Sequence, residues 1–247
     1  MILKVLATGS SGNCYLLQDE GKTLILDAGI NFLRIIGAIE NPSGIVGCLV
    51  THEHQDHAKA ACVFAARGIE TYASKGTWNA ISEIGSVWAQ KVAAAGQRIS
   101  IDGFTILPFE TQHDAAEPLG FVIRCDRTGE QLVYATDTYY LKHTFPGTHY
   151  WLVECNYCDD RLTEMMEQGE ISIDLRNRLT RSHLSLNRLK DALKANDLTE
   201  TRLIVLCHLS DQRSHEERMI REINELTGVE TVAASPGMTI SLNLCPF

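Results

Sequence analysis

One short run limits this chain more than anything else in it: Leu49-Val50-Thr51-His52-Glu53-His54-Gln55-Asp56-His57. An apolar strand stops, and four potential metal ligands follow within six residues. Imidazole and carboxylate suit zinc and similar divalent ions. A turn just after a strand can point His52 and His54 at one ion, and Asp56 and His57 at a second. The competing reading is a histidine-rich exposed loop, and it leaves the rest of the chain unexplained. Three further apolar runs end in the same way: 104–109 leads into Glu110-Thr111-Gln112-His113, 131–136 into Asp137, and 203–207 into His208. Ligands in open α/β sheets gather beyond the carboxyl ends of the strands. Four strand ends therefore deliver His52, His54, Asp56, His57, His113, Asp137 and His208 to one rim. Taken singly, His113 or His208 reads as a core or surface histidine. As a set, with Asp137 bridging, they fill two metal sites and leave room for a shared water.

The rest of the pattern is α/β. Strands are expected at 3–7, 14–17, 23–26, 47–50, 104–109, 121–124, 131–134, 151–153, 203–206 and 238–242, with Asp19-Glu20-Gly21-Lys22 as a hairpin turn. Helices are expected at 32–39, 58–66, 75–84, 186–195 and 214–227, the last opened by a capping box, Ser214-His-Glu-Glu217. At 247 residues the chain suits one well-buried domain and is marginal for two, and there is no repeat or linker, so residues 1–247 are read as a single domain. No apolar run reaches membrane-spanning length. Residues 1–7 lack a charged leader and read as a first strand rather than a signal. Most of the eight cysteines sit in apolar runs, which with the missing signal points to a reducing cytoplasm. Cys155-x-x-Cys158 has no second pair nearby and reads as core.

The net charge is −9. A protein that grips long nucleic acid by its backbone usually shows a basic face. The densest basic stretch, Arg176, Arg178, Arg181, Arg188, Lys190 and Lys194, reads as a solvated helical face. Bound metal ions add local positive charge, so acidity does not exclude a nuclease. His143, His149 and His215 are not read as ligands. Tyr139 and Tyr140 read as packing residues, with stacking on a base near the site as the alternative, and Trp78 and Trp88 as packing or as part of an oligomer interface.

His52, His54, Asp56 and His57, followed in order by His113, Asp137 and His208, resemble the His-x-His-x-Asp-His and later single-residue motifs of the metallo-β-lactamase superfamily. The resemblance covers essentially the whole chain. It implies an αββα sandwich, two mixed β-sheets flanked by helices. It further implies that His52, His54 and His113 hold one ion, that Asp56, His57 and His208 hold the other, and that Asp137 bridges them. Zinc is the expected ion and manganese the alternative. The motif fixes the fold far better than the substrate, because the superfamily spans lactamases, thioesterases, glyoxalases, nucleases and phosphodiesterases.

A complete ligand set with a bridging carboxylate is similar to the phosphodiesterase and nuclease branch. Thr8-Gly9-Ser10-Ser11-Gly12-Asn13, Ala135-Thr136-Asp137-Thr138, Glu154-Cys155-Asn156 and Ser182-His183-Leu184-Ser185 resemble the WalJ/YycJ-like exonuclease branch. Phage-encoded cyclic-nucleotide phosphodiesterases, the anti-Pycsar enzymes, look similar in size and motif set. The insertion of the β-CASP nucleases and the tRNA-grasping arm of the tRNA 3′-processing enzymes are both missing. Small size, acidic charge and the lack of a basic groove favour a 3′,5′-cyclic nucleotide as substrate, with a 5′ end of DNA or RNA as the alternative and a lactonase or thioesterase behind both. Either phosphodiester would be cut by a metal-bridging hydroxide that Asp56 and Asp137 orient. His183 is the candidate proton donor to the leaving oxygen. Ser10, Ser11 and Asn13 are the candidate phosphate contacts. A homodimer is expected from the resemblance alone.

Overall fold

A computed structural model describes residues 1–81, 88–210 and 212–243. By backbone contacts the chain divides into two compact units: Met1–Glu110 with Ala115–Glu130 and Ser235–Phe247, and Thr111–Asp114 with Gln131–Ala234.

The first unit opens on a meander of β1 (Ile2–Ala7), β2 (Cys14–Asp19) and β3 (Lys22–Leu26). Asp19 pairs with Lys22 across a two-residue turn whose Glu20 (φ 44°) and Gly21 (φ 79°) are both left-handed. That is the backbone twist a tight hairpin needs, and Gly21 provides it without strain. After helix α1 (Phe32–Gly37) the chain turns parallel through β4 (Ile45–Leu49). Two short helices follow, α2 (Gln55–Ala58) and α3 (Ala61–Ala66). Then come β5 (Thr71–Ala73), α4 (Lys75–Ile81) and β6 (Gln90–Val92). β7 (Ile99–Ile101), β8 (Phe104–Glu110) and β9 (Leu119–Cys125) pair antiparallel in sequence order. Late in the chain β14 (Thr239–Ser241) returns to β1, completing a mixed sheet of order β14-β1-β2-β3-β4-β5-β6. One face of that sheet packs Leu16, Ile25, Cys48 and Val50 against Phe64 and Trp78.

The second unit is built on four parallel strands: β10 (Gln131–Ala135), β11 (Tyr150–Glu154), β12 (Leu203–Cys207) and β13 (Glu230–Ala233). Every residue of β11 and β12 is buried, as expected of strands covered on both faces. Between β11 and β12 lie α5 (Asp159–Glu167), α6 (Ile173–Ser182) and α7 (Leu186–Lys194), and α8 (Glu216–Thr227) precedes β13. The register decides what happens at the carboxyl end. Ala135 pairs with Val153, and Glu154 pairs with Cys207. The residues that follow β10, close β11 and follow β12 therefore stand side by side.

Several elements differ from the sequence reading. The helix expected at 58–66 is broken into α2 and α3, with His54 as N-cap of the first. The helix expected at 75–84 runs to Ile81, and 82–84 lie outside the described residues. No capping box forms at α8. Its N-cap, His215, makes no side-chain cap bond, and the Ser214 hydroxyl donates instead to Ser210 O at 2.5 Å. β5, β6, β7 and β13 are three or four residues long, too short to show alternation. The basic stretch is not uniformly a solvated face. Arg178, Arg181 and Lys194 are exposed. The Arg188 guanidinium, in contrast, donates to Tyr139 O (3.1 Å) and Thr180 O (2.6 Å) and lies 5.4 Å from the Tyr139 ring. Trp78 is buried as expected, whereas Trp88 and Tyr140 are 70% and 55% exposed. Among the described residues no helix is long and apolar enough to cross a membrane.

Candidate metal centre

In the first unit, β4 ends at Leu49 and hands its chain to the His52–His57 turn. A residue that sequence reasoning passed over organises that turn. Asp27, just after β3, is fully buried and left-handed (φ 57°). Its carboxylate accepts from Thr51 N–H (2.8 Å), from the Thr51 hydroxyl (3.0 Å) and from His57 Nδ1 (2.7 Å). A carboxylate can only accept here, so the proton sits on His57 Nδ1 and the lone pair on Nε2. The Thr51 hydroxyl also lies 3.0 Å from His52 Nδ1. His52 Nε2 and His54 Nδ1 are 3.0 Å apart, and Asp56 Oδ2 is 3.5 Å from His57 Nε2.

Backbone bonds weld this turn to the strand beside it. Asn13 N–H donates to Asp56 O, Ala28 N–H to His57 O, and Gly29 N–H to Asn13 O. A Cβ on Gly29 would lie 1.7 Å from Asp56 O, so only glycine lets the two segments approach. Asn13, expected as a phosphate contact, is fully buried. Its amide bonds Gly9 at both N–H (2.9 Å) and O (3.1 Å) and lies 3.0 Å from His57 Nε2. Ser10 and Ser11, in the Gly9–Gly12 turn that Asn13 holds, are exposed.

The second unit assembles its groups from separate strands. Asp137 follows β10 with φ 47°, and His208 follows β12 with φ 52°. Asp27, Asp137 and His208 are three of only four non-glycine residues with positive φ among the described residues. Each carries about 1–2 kcal/mol of backbone strain that its surroundings must hold. Asp137 Oδ1 accepts from the Thr136 hydroxyl (2.9 Å) and faces His208 Nε2 at 3.4 Å, while Oδ2 faces His113 Nε2 at 3.5 Å. His113 Nδ1 meets Ser182 O at 2.8 Å, which puts its proton on Nδ1 and its lone pair on Nε2. Burial lowers the His113 pKa, against the Asp137 charge.

Glu154, at the end of β11, stands in the Glu154-Cys155-Asn156 stretch that the sequence reading quoted without a role. It is fully buried. Oε1 meets His183 Nδ1 at 2.6 Å and lies 3.5 Å from His208 Nδ1, while Oε2 accepts from Thr138 N–H (3.0 Å) and Leu184 N–H (3.1 Å). Burial alone would raise its pKa, but the charge and hydrogen bond of His183 outweigh it and lower the value. For His183 the balance runs the other way. Burial opposes the charged ring, the Glu154 carboxylate overcomes it, and the pKa is raised. The His183 and His208 rings stack at 5.4 Å. Ligand-capable atoms of Asp137, Glu154, His183 and His208 all lie within 4.8 Å of one another. Imidazoles hydrogen-bonded at Nδ1, with Nε2 turned toward carboxylates, suit a divalent metal site.

A family model described as the β-lactamase superfamily domain matches residues 22–209. The chain belongs to that superfamily. Within it, exodeoxyribonuclease WalJ of Streptococcus pneumoniae is 29% identical over 247 residues, 93% of this chain and 87% of the relative. Exodeoxyribonuclease YycJ of Bacillus anthracis is 29% identical over 227 residues, 86% and 84% of the two chains. The metallo-β-lactamase fold protein YhfI of Bacillus subtilis superposes with a TM-score of 0.74 over 97% of this chain and 98% of its own, at 16% identity. The superfamily member described here is thus α/β with the fold expected, two mixed β-sheets flanked by helices, and it is a metallo-β-lactamase-fold hydrolase.

Proposed function

We propose that this hydrolase cuts phosphodiester bonds at the 5′ end of DNA, with two divalent metal ions. His52, His54 and His113 would hold one ion, Asp56, His57 and His208 the other, and Asp137 both. The observation that carries the reading is the placement of Asp137, whose two oxygens each face a different imidazole Nε2, at 3.5 and 3.4 Å. A single domain over residues 1–247 belongs to the same proposal, as does zinc or manganese as the ion.

When bound, the ions supply positive charge to the scissile phosphate and make a water acidic enough to attack. Asp56 and Asp137 orient that water by accepting its hydrogens. Glu154 holds His183 by Nδ1, which presents Nε2 as the donor to the leaving oxygen. Ser10 and Ser11 are the proposed phosphate contacts, and Asn13 holds the turn that carries them.

The DNA end replaces the cyclic nucleotide as favoured substrate because both curated relatives bear the name exodeoxyribonuclease and match most of this chain. Net charge is a sum over the whole surface and says little about a site whose cations are bound metals. The test is chromatography of products from metal-loaded protein given 5′-phosphorylated DNA and, in parallel, 3′,5′-cyclic mononucleotides. Mononucleotides released from DNA, with cyclic substrates intact and a steep loss of activity with salt, are expected. Conversion of the cyclic substrates with DNA untouched would overturn the reading.

A further inference from the structure

His57 and His113 are oriented through their rings: Nδ1 of each meets an oxygen that can only accept, at 2.7 and 2.8 Å. His208 is held differently. The Asn156 amide nitrogen donates to the backbone carbonyl of His208 at 2.9 Å and lies 3.1 Å from His208 Nδ1. One buried side-chain group thus holds the main chain of a left-handed residue. The main chain of Asn156 is pinned as well. Its N–H donates to Leu184 O (2.9 Å), and its carbonyl accepts from Ser210 N–H (3.0 Å). Asn156 lies two residues past β11, so it ties together the loops after β11, α6 and β12, which carry Glu154, His183 and His208.

We infer that Asn156 is a positioning residue for the second metal ion, acting through His208 by holding the carbonyl of its left-handed main chain. Glu154 acts on the ring instead, its Oε1 facing His208 Nδ1 at 3.5 Å and His183 Nδ1 at 2.6 Å. Without the amide, the His208 carbonyl loses a buried donor, and the strained main-chain conformation that aims the ring loses a brace. Groups that orient a metal-binding imidazole from behind are worth about 10–100-fold in metal affinity. The loss should fall on the ion that His208 serves and spare the one assigned to His52, His54 and His113.

The inference rests on the two-metal reading, and the experiment separates the two. Metal content by mass spectrometry and zinc binding by calorimetry are measured on wild-type protein, Asn156→Ala and Asn156→Ser. The wild type is expected to bind two ions. Asn156→Ala should keep one with unchanged affinity and bind the other about 10–100-fold more weakly. A merely structural role would lower the melting temperature without singling out one ion. Asn156→Ser is the gentler variant should the alanine protein fold poorly. Its hydroxyl stops one bond short of the Asn156 amide nitrogen, and it should weaken binding of the same ion. Two ions bound as tightly in both variants as in wild type would overturn the inference and leave the two-metal reading standing. Fewer than two ions in the wild type would overturn both.

Discussion

The two units build their parts of the candidate site in opposite ways. In the first, four groups come from one continuous turn, His52 to His57, and backbone bonds to Asn13, Ala28 and Gly29 hold that turn in shape. In the second, Asp137, Glu154 and His208 come from three strands and meet because the parallel register aligns β10, β11 and β12. The first device depends on close local packing. The second depends on the fold of the whole unit, and on single buried side chains that bridge one loop to the next. A turn of the first kind is vulnerable to added volume, and an assembly of the second kind to lost hydrogen bonds.

The largest effect should come from removing a ligand, whichever device holds it. His54→Ala and Asp137→Ala are each expected to bring turnover to the uncatalysed background while thermal melts stay close to wild type. Near wild-type activity in either at saturating metal would remove the two-metal assignment. Next comes the turn itself. Asp27→Ala leaves Thr51 N–H and His57 Nδ1 buried without their acceptor, and should cost about 3–5 kcal/mol in chemical denaturation. Gly29→Ala keeps every ligand but puts a Cβ against Asp56 O. A loss of about 1–3 kcal/mol with weakened metal uptake is expected, and unchanged metal affinity would break the claim that close packing shapes the turn.

In the second unit, Glu154→Gln should lower kcat about 100-fold with both ions still bound, because it removes the carboxylate that holds the His183 proton. A loss of metal in step with kcat would make Glu154 a ligand rather than a partner of His183. The smallest effect is a control that touches neither device. The hydrogen bond from Arg127 lowers the Asp19 pKa. A carboxyl group lowered by folding stabilises the protein above its unfolded pKa, and that contribution fades as pH falls through the folded value. Arg127→Ala should therefore flatten the acid side of the stability profile slightly and leave kcat unchanged.

What the sequence disclosed follows the same contrast. The His52–His57 turn was legible because its groups are neighbours in the chain, and His113, Asp137 and His208 because each ends an apolar run. The roles of Asp27, Glu154 and Asn156 were not, although the last two stand in a stretch that resembles the exonuclease branch, since a polar residue after a strand looks the same whether it meets solvent or a buried histidine. Gly29 was hidden for a related reason: the atom it must avoid belongs to Asp56. The helices α5 and α6 did leave a trace in the apolar spacing of Leu162 with Met165 and Leu175 with Leu179. The charged residues around them masked it. Substrate preference was least legible, because formal charge counts side chains and omits the ions they bind.

The most direct measurement of the central claim is anomalous scattering from crystals of the zinc-loaded protein. Two peaks are predicted, one ligated by His52, His54 and His113, the other by Asp56, His57 and His208, with Asp137 touching both. A single peak, or a second peak away from His208, would contradict the account.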